Sequence, residues 1–337
     1  MSGTLDTNDL VLALKAAAET TRLRILLLLA AGELNVKDLT QILGQSQPRI
    51  SRHLKLLAEA GLIERFREGS WVYFHVSDRS EGGKLAHRIL ETVDGSDPVL
   101  SRDIARAEAL KYEREAAAQT YFREHAADWD RIRTLYVSEN AVESAVATAL
   151  AGPPLKLLVD LGTGTGRMLE VLADHYERGL GLDVNQSMLD YARSRLKSAG
   201  LHRAEVRHGD IYNVALPDNA ADGVVIHQVL HYLSEPAHAV REAARILAPG
   251  GKLLIVDFAP HGLEELRERH AHERLGFEPG HVTAWLEEAG LSDIEVRSLA
   301  PETHDDRQQL TVSLWLGRRP RGAGTAKHPQ ELERIGS

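Results

Sequence analysis

The stretch DLGTGTGRM, residues 160–168, follows the apolar run LKLLV (155–159) and leads into a helix-forming segment. A strand that ends in closely spaced glycines and re-enters as a helix holds a ligand, because glycine lets backbone N–H groups approach a bound group. The spacing sets the ligand class. Gly162, Gly164 and Gly166 read G-x-G-x-G. Dinucleotide folds use G-x-G-x-x-G, and their third glycine would fall on Arg167. No G-K-[ST] follows, which excludes a P-loop. A glycine turn alone is weak, and its neighbours supply the rest. Asp183 ends the second strand in GLDVNQSML (181–189), 17 residues past Gly166, where a carboxylate accepts both hydroxyls of a ribose. Asp210 ends the third strand in VRHGDI (206–211), with Ile211 available to pack on a flat base.

Outward from that turn, strand-like and helix-like segments alternate: RMLEVLADH, GLGLDV, SMLDYARSRLKSAG, AEVRHGD, ADGVVIHQVL, EPAHAVREAARIL and GKLLIVDF. The alternation predicts an α/β body with a parallel, doubly wound sheet, and puts the glycine turn at the carboxyl edge where such sheets bind ligands. Taken together, VDLGTGTGRMLEVLA (159–173), GLDVNQSML, VLHYLSEPAHAVREAARILAPGGKLLIVDF (229–258) and LGFEPGHVTAWLEEAGL (275–291) resemble the class I S-adenosylmethionine-dependent methyltransferases. The likeness is to the small-molecule branch that includes ubiquinone/menaquinone and arsenite methyltransferases. It implies a Rossmann-like domain over 151–318, with DIEVRSL and LTVSLWLGR as its sixth and antiparallel seventh strands. YFREHAADWDRIR (121–133) resembles the helical cap of that branch. The resemblance implies S-adenosylmethionine, or S-adenosylhomocysteine as ligand. It puts Asp160 and the three glycines by the methionine part, Asp183 on the ribose, Asp210 with Ile211 at the adenine, and His227 at the cofactor. Arsenite methylation is unsupported, because it resembles a thiol-dependent chemistry and the chain has no cysteine.

The first hundred residues read differently. Residues 9–31 give an amphipathic helix pair, and VKDLTQILG (36–44) a short helix stopped by Gly44. In SQPRISRHLKLLAEAGLI (46–63), Ser46 is an N-cap and Pro48 fits the first turn. Ile50, Leu54 and Leu57 face inward together, leaving Gln47, Arg49, Ser51, Arg52 and His53 largely on the other side. LIERFREGSWVYFHV (62–76) alternates as a hairpin with Glu68-Gly69-Ser70 at its tip. Two short helices about a glycine turn and a following hairpin make a winged helix-turn-helix. A short basic run is usually a solvated face. Here residues 45–58 hold three Lys/Arg and no acid inside an intact motif, which favours DNA reading, with Arg65 and Arg67 of the wing on phosphates.

TRLRILLLL (21–29), SQPRISRHLKLLAEAGLI and REGSWVYFHV (67–76) resemble the ArsR/SmtB repressors over residues 9–76. That resemblance implies a homodimer on a double-stranded operator, with residues 8–18 and about 80–93 at the interface. Metal-sensing members carry cysteines where this chain reads ELNVKDL (33–39), with Asn35 and Lys37. Without a thiolate, and with lysine no ligand when protonated, soft-metal sensing there is excluded.

Composition fits this division. The 337 residues suggest more than one domain: a winged head over 1–95, a helical connector and cap over 96–150, the body over 151–318 and a disordered tail over 319–337. Residues 1–92 carry 12 Lys/Arg against 11 Asp/Glu, net +1, so the remainder carries −10 of the total −9. Any nucleic-acid contact therefore comes from a local patch in the head. The longest apolar run, ILLLLAA (25–31), is far below the roughly 20 residues of a membrane span. With no signal-peptide pattern and no cysteine, a cytoplasmic protein is expected.

No metal ligand set emerges. His227 and His231 stand i, i+4 but lack an acidic third partner, and His261, His270, His272 and His281 read as solvated. His227 is a candidate general base, although methyl transfer from a sulfonium can proceed by alignment alone. Tyr121 and Trp129 could stack near the positive sulfur or simply pack the cap. Two functions stay open: a regulator whose methyltransferase-like body senses the cofactor, and an enzyme on a small-molecule acceptor whose head regulates its own gene or tethers it to DNA. DNA methylation is a distant third, since IHQVL lacks an N/D-P-P-Y motif and the body is acidic.

Overall fold

The computed structural model describes residues 5–68, 71–77, 80–133, 139–300 and 310–321. The head opens with α1 (Thr7–Ala17) and α2 (Thr20–Ala31), followed by the short strand β1 (Leu34–Asn35). Next come α3 (Val36–Leu43) and α4 (Gln47–Glu59), the strands β2 (Glu64–Glu68) and β3 (Trp71–His75), and α5 (Glu81–Leu90). Asn35 and Asp38 form a reciprocal capping box at the start of α3, and Gly44 ends that helix with φ 65°. Ser46 has N-cap backbone angles on α4 without a side-chain cap bond. Ile50, Leu54 and Leu57 are buried against Leu26, Leu29 and Leu39. β1, β3 and β2 form one antiparallel sheet in that order, and β1 pairs with the wing at Tyr73 and Phe74. Gly69 and Ser70 of the expected tip lie outside the described residues.

A single helix of 28 residues, α6 (Pro98–His125), leaves the head, capped by Asp97. It is about 42 Å long. α7 (Trp129–Arg133) and α8 (Glu139–Ala149) complete the connector and cap. The body then runs β4 (Leu155–Leu161), α9 (Arg167–Val171), β5 (Tyr176–Asp183), α10 (Gln186–Ser198), β6 (Ala204–His208), β7 (Ala221–His227), α11 (Pro236–Ile246) and β8 (Leu247–Phe258). α12 (Glu265–His270), α13 (Pro279–Glu288), β9 (Ser292–Leu299) and β10 (Val312–Arg318) follow.

The seven-stranded sheet has the order β6-β5-β4-β7-β8-β10-β9. β6 to β8 are parallel, and β10 lies antiparallel between β8 and β9. Alternate residues feed two cores, one on each face: Leu158, Val225 and Leu254 on one side, Val159, Val224 and Leu253 on the other. The winding reverses between β4 and β7, which opens a crevice at their carboxyl ends. Of the stretch expected as a tail from residue 319, residues 319–321 are among those described. Arg319 donates to the carbonyls of Ala244 and Arg245 at 3.0 and 3.1 Å and to that of Leu247, closing the C-terminus of α11. Residues 322–337 lie outside the described residues.

Candidate cofactor crevice and DNA-reading face

β4 delivers Asp160 and the glycine turn to the switch point. Gly162 has φ 72°, and a Cβ there would stand 2.5 Å from Val229 Cγ2, so only glycine fits. The N–H groups of Gly162 and Thr163 donate to Leu182 O at 2.8 and 3.0 Å, which ties the turn to β5. Gly166 serves packing instead: a Cβ would lie 3.1 Å from that of Ala192 on α10. Asp183, at the end of β5, accepts from Gly164 N at 2.9 Å and Asn185 N at 2.8 Å. Burial raises its pKa against those bonds. Asp160 is 2% exposed and accepts from Thr163 Oγ1 at 2.6 Å. Burial pushes its carboxyl up to about 7. Asp210 lies two residues past β6 rather than within it, and its Oδ1 accepts from Tyr212 N at 2.9 Å.

These side chains line one cavity of about 550 Å³, within the range of small-molecule sites. Asp160, Gly162, Gly164, Asp183, Asp210, Ile211 and His227 all border it; Gly166 does not. Trp129 of the cap also faces it, whereas the Tyr121 hydroxyl is 2.7 Å from His270 Nδ1.

The wall opposite the turn was not apparent in the sequence. It is α6, which contributes Tyr112, Glu115, Gln119 and Arg123. Asn185 fastens that wall, donating to Gln119 O at 3.0 Å and Gln119 Oε1 at 3.1 Å. Burial raises the Glu115 pKa, while the Lys111 ammonium opposes the shift. The spacings of three and four put these four side chains on one helix stripe, yet its polar character resembles a solvated face.

The histidines differ from their expected state. His227 ends β7, and Leu230–Tyr232 is a 3-10 turn, so His227 and His231 do not form a helical i, i+4 pair. His231 and His272 are buried, His261 and His270 half-buried, and His281 lies 3.2 Å from Glu33 of the head. Their helix-poor, polar sequence context concealed that the segment folds inward between body and head. Among the described residues, no group of three or more His, Asp or Glu is arranged to hold a metal.

On the head, Gln47, Arg49, Ser51 and Arg52 are exposed along α4. His53 is half-buried and 3.7 Å from Glu19, and burial lowers its pKa. It therefore belongs more to the junction of α4 with the start of α2 than to the exposed face. The wing separates two roles by its pleat. Arg65 and Arg67 pair with Phe74 and Val72, on the side of the head's own core, and remain exposed. Phe66 and Glu68 pair with Tyr73 and Trp71 on the other side, which the body covers.

That covered side is well built. Arg274, 1% exposed, reaches Glu33 at 2.8 Å and Glu68 at 3.2 Å and lies over the Tyr73 ring. Arg267 lies over Trp71, and His281 packs edge-on to Phe66 at 4.1 Å between centroids. α6 holds the head from a second direction, with Asp103 on Arg24, Arg106 on Ile42 O, and Arg114 on both Asp38 and Glu273. The body thus docks on the back of the wing and leaves α4, Arg65 and Arg67 outside this contact.

Residues 19–65 match the model for the bacterial regulatory protein arsR family, and residues 159–255 the model for a methyltransferase domain. An uncharacterised 37.1 kDa protein of a Streptomyces fradiae transposon is 32% identical over 145 residues, covering 40% of this chain and 41% of that one. Demethylmenaquinone methyltransferase of Clavibacter sepedonicus is 27% identical over 236 residues, covering 62% and 92%. The 27-O-demethylrifamycin SV methyltransferase of Amycolatopsis mediterranei is 29% identical over 168 residues, covering 47% and 59%. The chain thus spans less than half of the Streptomyces relative and most of the Clavibacter one. Strand order, glycine turn and both family matches agree: the chain joins an ArsR-family helix-turn-helix domain to a class I methyltransferase domain.

Proposed function

We propose that the chain is a cytoplasmic DNA-binding transcriptional regulator of the ArsR type, without the metal site, whose body binds S-adenosylmethionine or S-adenosylhomocysteine and reports occupancy to the head. The observation that carries this reading is the shared helix. α6 is ion-paired and hydrogen-bonded to the head through Asp103, Arg106 and Arg114, and it walls the crevice with Glu115, Gln119 and Arg123. A ligand that shifts this wall shifts the head. A second link starts beside Tyr232, which lines the crevice: Glu273 N and Arg274 N both donate to O of the preceding His231 at 3.0 Å, and the Arg274 side chain grips Glu33 and Glu68. The two links meet at Arg114.

The crevice suits the cofactor. Asp160 is a buried carboxylate whose neighbouring Thr163 supplies one hydrogen bond, an environment that an ammonium of the methionine part would satisfy. Asp183 keeps lone pairs for the ribose hydroxyls, and Asp210 with Ile211 takes the adenine. His227 stands at the cofactor as a candidate base. The bound cofactor supplies a methyl group on a sulfonium; the chain orients the acceptor and excludes water.

A second copy covers α1, where Leu10, Val11, Leu12 and Leu14 are exposed on 11 residues, and a dimer presents two α4 helices to two operator half-sites. The test is fluorescence anisotropy on a duplex selected from a random pool, with and without each cofactor form. A shift of about 5–150-fold is expected, and equal affinities throughout refute the sensor. The second reading, a small-molecule methyltransferase whose head only autoregulates or tethers it, is favoured by a further void beside the crevice. Turnover on an acceptor panel without any effect on DNA affinity would establish it.

A further inference from the structure

The crevice wall that α6 supplies carries a carboxylate oxygen without a partner. Glu115 Oε1 is buried and makes no hydrogen bond among the described residues. The carboxylates that act on it, Asp210, Glu235 and Glu273, each have one. Glu235 holds Lys111, Glu273 takes Arg114 at 2.9 Å and the Ser234 hydroxyl at 2.8 Å, and Asp210 accepts from Tyr212 N at 2.9 Å. A buried acceptor left empty is destabilising and calls for a reason. Because Glu115 lines the crevice, the missing donor belongs to what the crevice holds.

The position along α6 says which part of the ligand that is. Glu115 interacts through space with Asp210 and Tyr212, at the adenine end. Gln119, one turn on, is bonded to Asn185, two residues past Asp183, at the ribose. Phe122 packs edge-on to Trp129 at 5.2 Å between centroids, and Trp129 Nε1 stands 3.7 Å from where a Cβ on Gly164 would be, at the methionine part. The helix rise puts Glu115 about 10 Å from Phe122, so an amine awaiting methylation at the sulfur end is out of its reach. The donor within reach is the exocyclic amine of the adenine.

Glu115 is also placed to report. Arg114, next to it in the chain, reaches Asp38 and Glu273. Asp38 is 1% exposed and closes the capping box with Asn35 at the start of α3, which packs on the DNA-reading α4. One turn earlier, Lys111 lies 4.6 Å over the Tyr212 ring, on the segment that carries Asp210 and Ile211. The adenine end, α6 and α3 are thus joined through adjacent residues.

We propose that Glu115 is a cofactor contact supplied by the connector, that it accepts from the exocyclic amine of the adenine, and that this bond is what moves α6 against α3. The head then reads the nucleobase. S-adenosylmethionine and S-adenosylhomocysteine share that base, so they give the same signal, and occupancy rather than methylation state sets the affinity for DNA.

The inference rests on the body binding the cofactor, and the test keeps the two apart. Calorimetry on the full chain compares S-adenosylhomocysteine with its analogue in which hydrogen replaces the amine of the base. The wild type should prefer the amine form by about ten- to hundredfold more than Glu115→Met does, as a hydrogen bond to a charged group predicts. Glu115→Gln keeps a carbonyl acceptor and should recover part of that preference, which a merely structural role would not produce. Fluorescence anisotropy then follows the selected duplex. Saturating S-adenosylmethionine and S-adenosylhomocysteine should shift wild-type affinity by factors that agree within twofold. The amine-free analogue at saturation, or S-adenosylhomocysteine on Glu115→Met, should leave it within twofold of the unliganded chain. Equal preference for the amine in wild type and Glu115→Met overturns the contact. Different shifts from the two natural forms, or a full shift from the amine-free analogue, overturn the base as the signal. Failure of S-adenosylhomocysteine to bind the wild type overturns the cofactor reading beneath both.

Discussion

Arg274→Met removes the guanidinium that joins body to wing. In the intact chain that group serves two carboxylates at once, Glu33 at 2.8 Å and Glu68 at 3.2 Å. After the change, Glu33 keeps His281 at 3.2 Å. Glu68, 2% exposed, loses the cation it faces. Stranding one member of a buried pair costs about 3–5 kcal/mol, and methionine restores most of the lost volume, so cavity formation adds little. The cost depends on pH with a definite sign. Burial already raises the Glu68 pKa, and loss of Arg274 raises it further. A carboxyl with a raised folded-state pKa favours the folded state at low pH and loses that advantage as pH rises through the folded value. Urea denaturation of the variant should therefore show a deficit of about 3–5 kcal/mol at pH 8 that shrinks toward pH 5. Arg274→Met combined with Glu68→Gln should recover most of it. A deficit below about 1 kcal/mol at pH 8, or no rescue by Glu68→Gln, would refute the reasoning, because the ion cluster would then not hold the two domains together.

Other outcomes follow from the same geometry. Asp183→Ala deletes the ribose acceptor together with the bonds from Gly164 N and Asn185 N; calorimetry should show S-adenosylhomocysteine binding weakened by about 3 kcal/mol, roughly a hundredfold. An unchanged affinity would move the ribose elsewhere. Because burial holds Asp160 near 7 and a bound ammonium favours its ionised form, affinity should rise by up to about tenfold per pH unit below 7 and level off above it; Asp160→Asn should flatten that profile. On the head, Arg49→Ala and Arg52→Ala should each cost about 1–3 kcal/mol and relax sequence preference, whereas Arg65→Ala and Arg67→Ala should weaken all duplexes alike and reduce the salt slope by about one each.

Much of this architecture is legible in the sequence, for physical reasons that differ by region. The parallel strands are apolar on both faces, and the glycine turn, weak alone, gains its meaning from Asp183 and Asp210 at the ends of the strands that follow. The α4 face follows from the spacing of Ile50, Leu54 and Leu57. What stayed hidden is where polar residues are buried by partners distant in sequence. Arg274 and Glu68 are 206 residues apart, so neither pattern nor spacing could pair them. Glu115, Gln119 and Arg123 look solvated until β5 and the start of α10 bring the crevice against them. His272 is packed among His231, Tyr232 and Phe258, which lie 14 to 41 residues before it, and His281 packs on Phe66 at the back of the wing, a surface that a freestanding winged helix would leave in water.

The central claim is that crevice and head form one energetic unit. Calorimetric titration of S-adenosylhomocysteine into the full chain, once alone and once saturated with the selected duplex, tests it most directly. The account predicts one site per chain in both cases, with affinities differing by about 5–150-fold and the same factor recovered when DNA is titrated into the loaded chain. Identical affinities with and without DNA would contradict it.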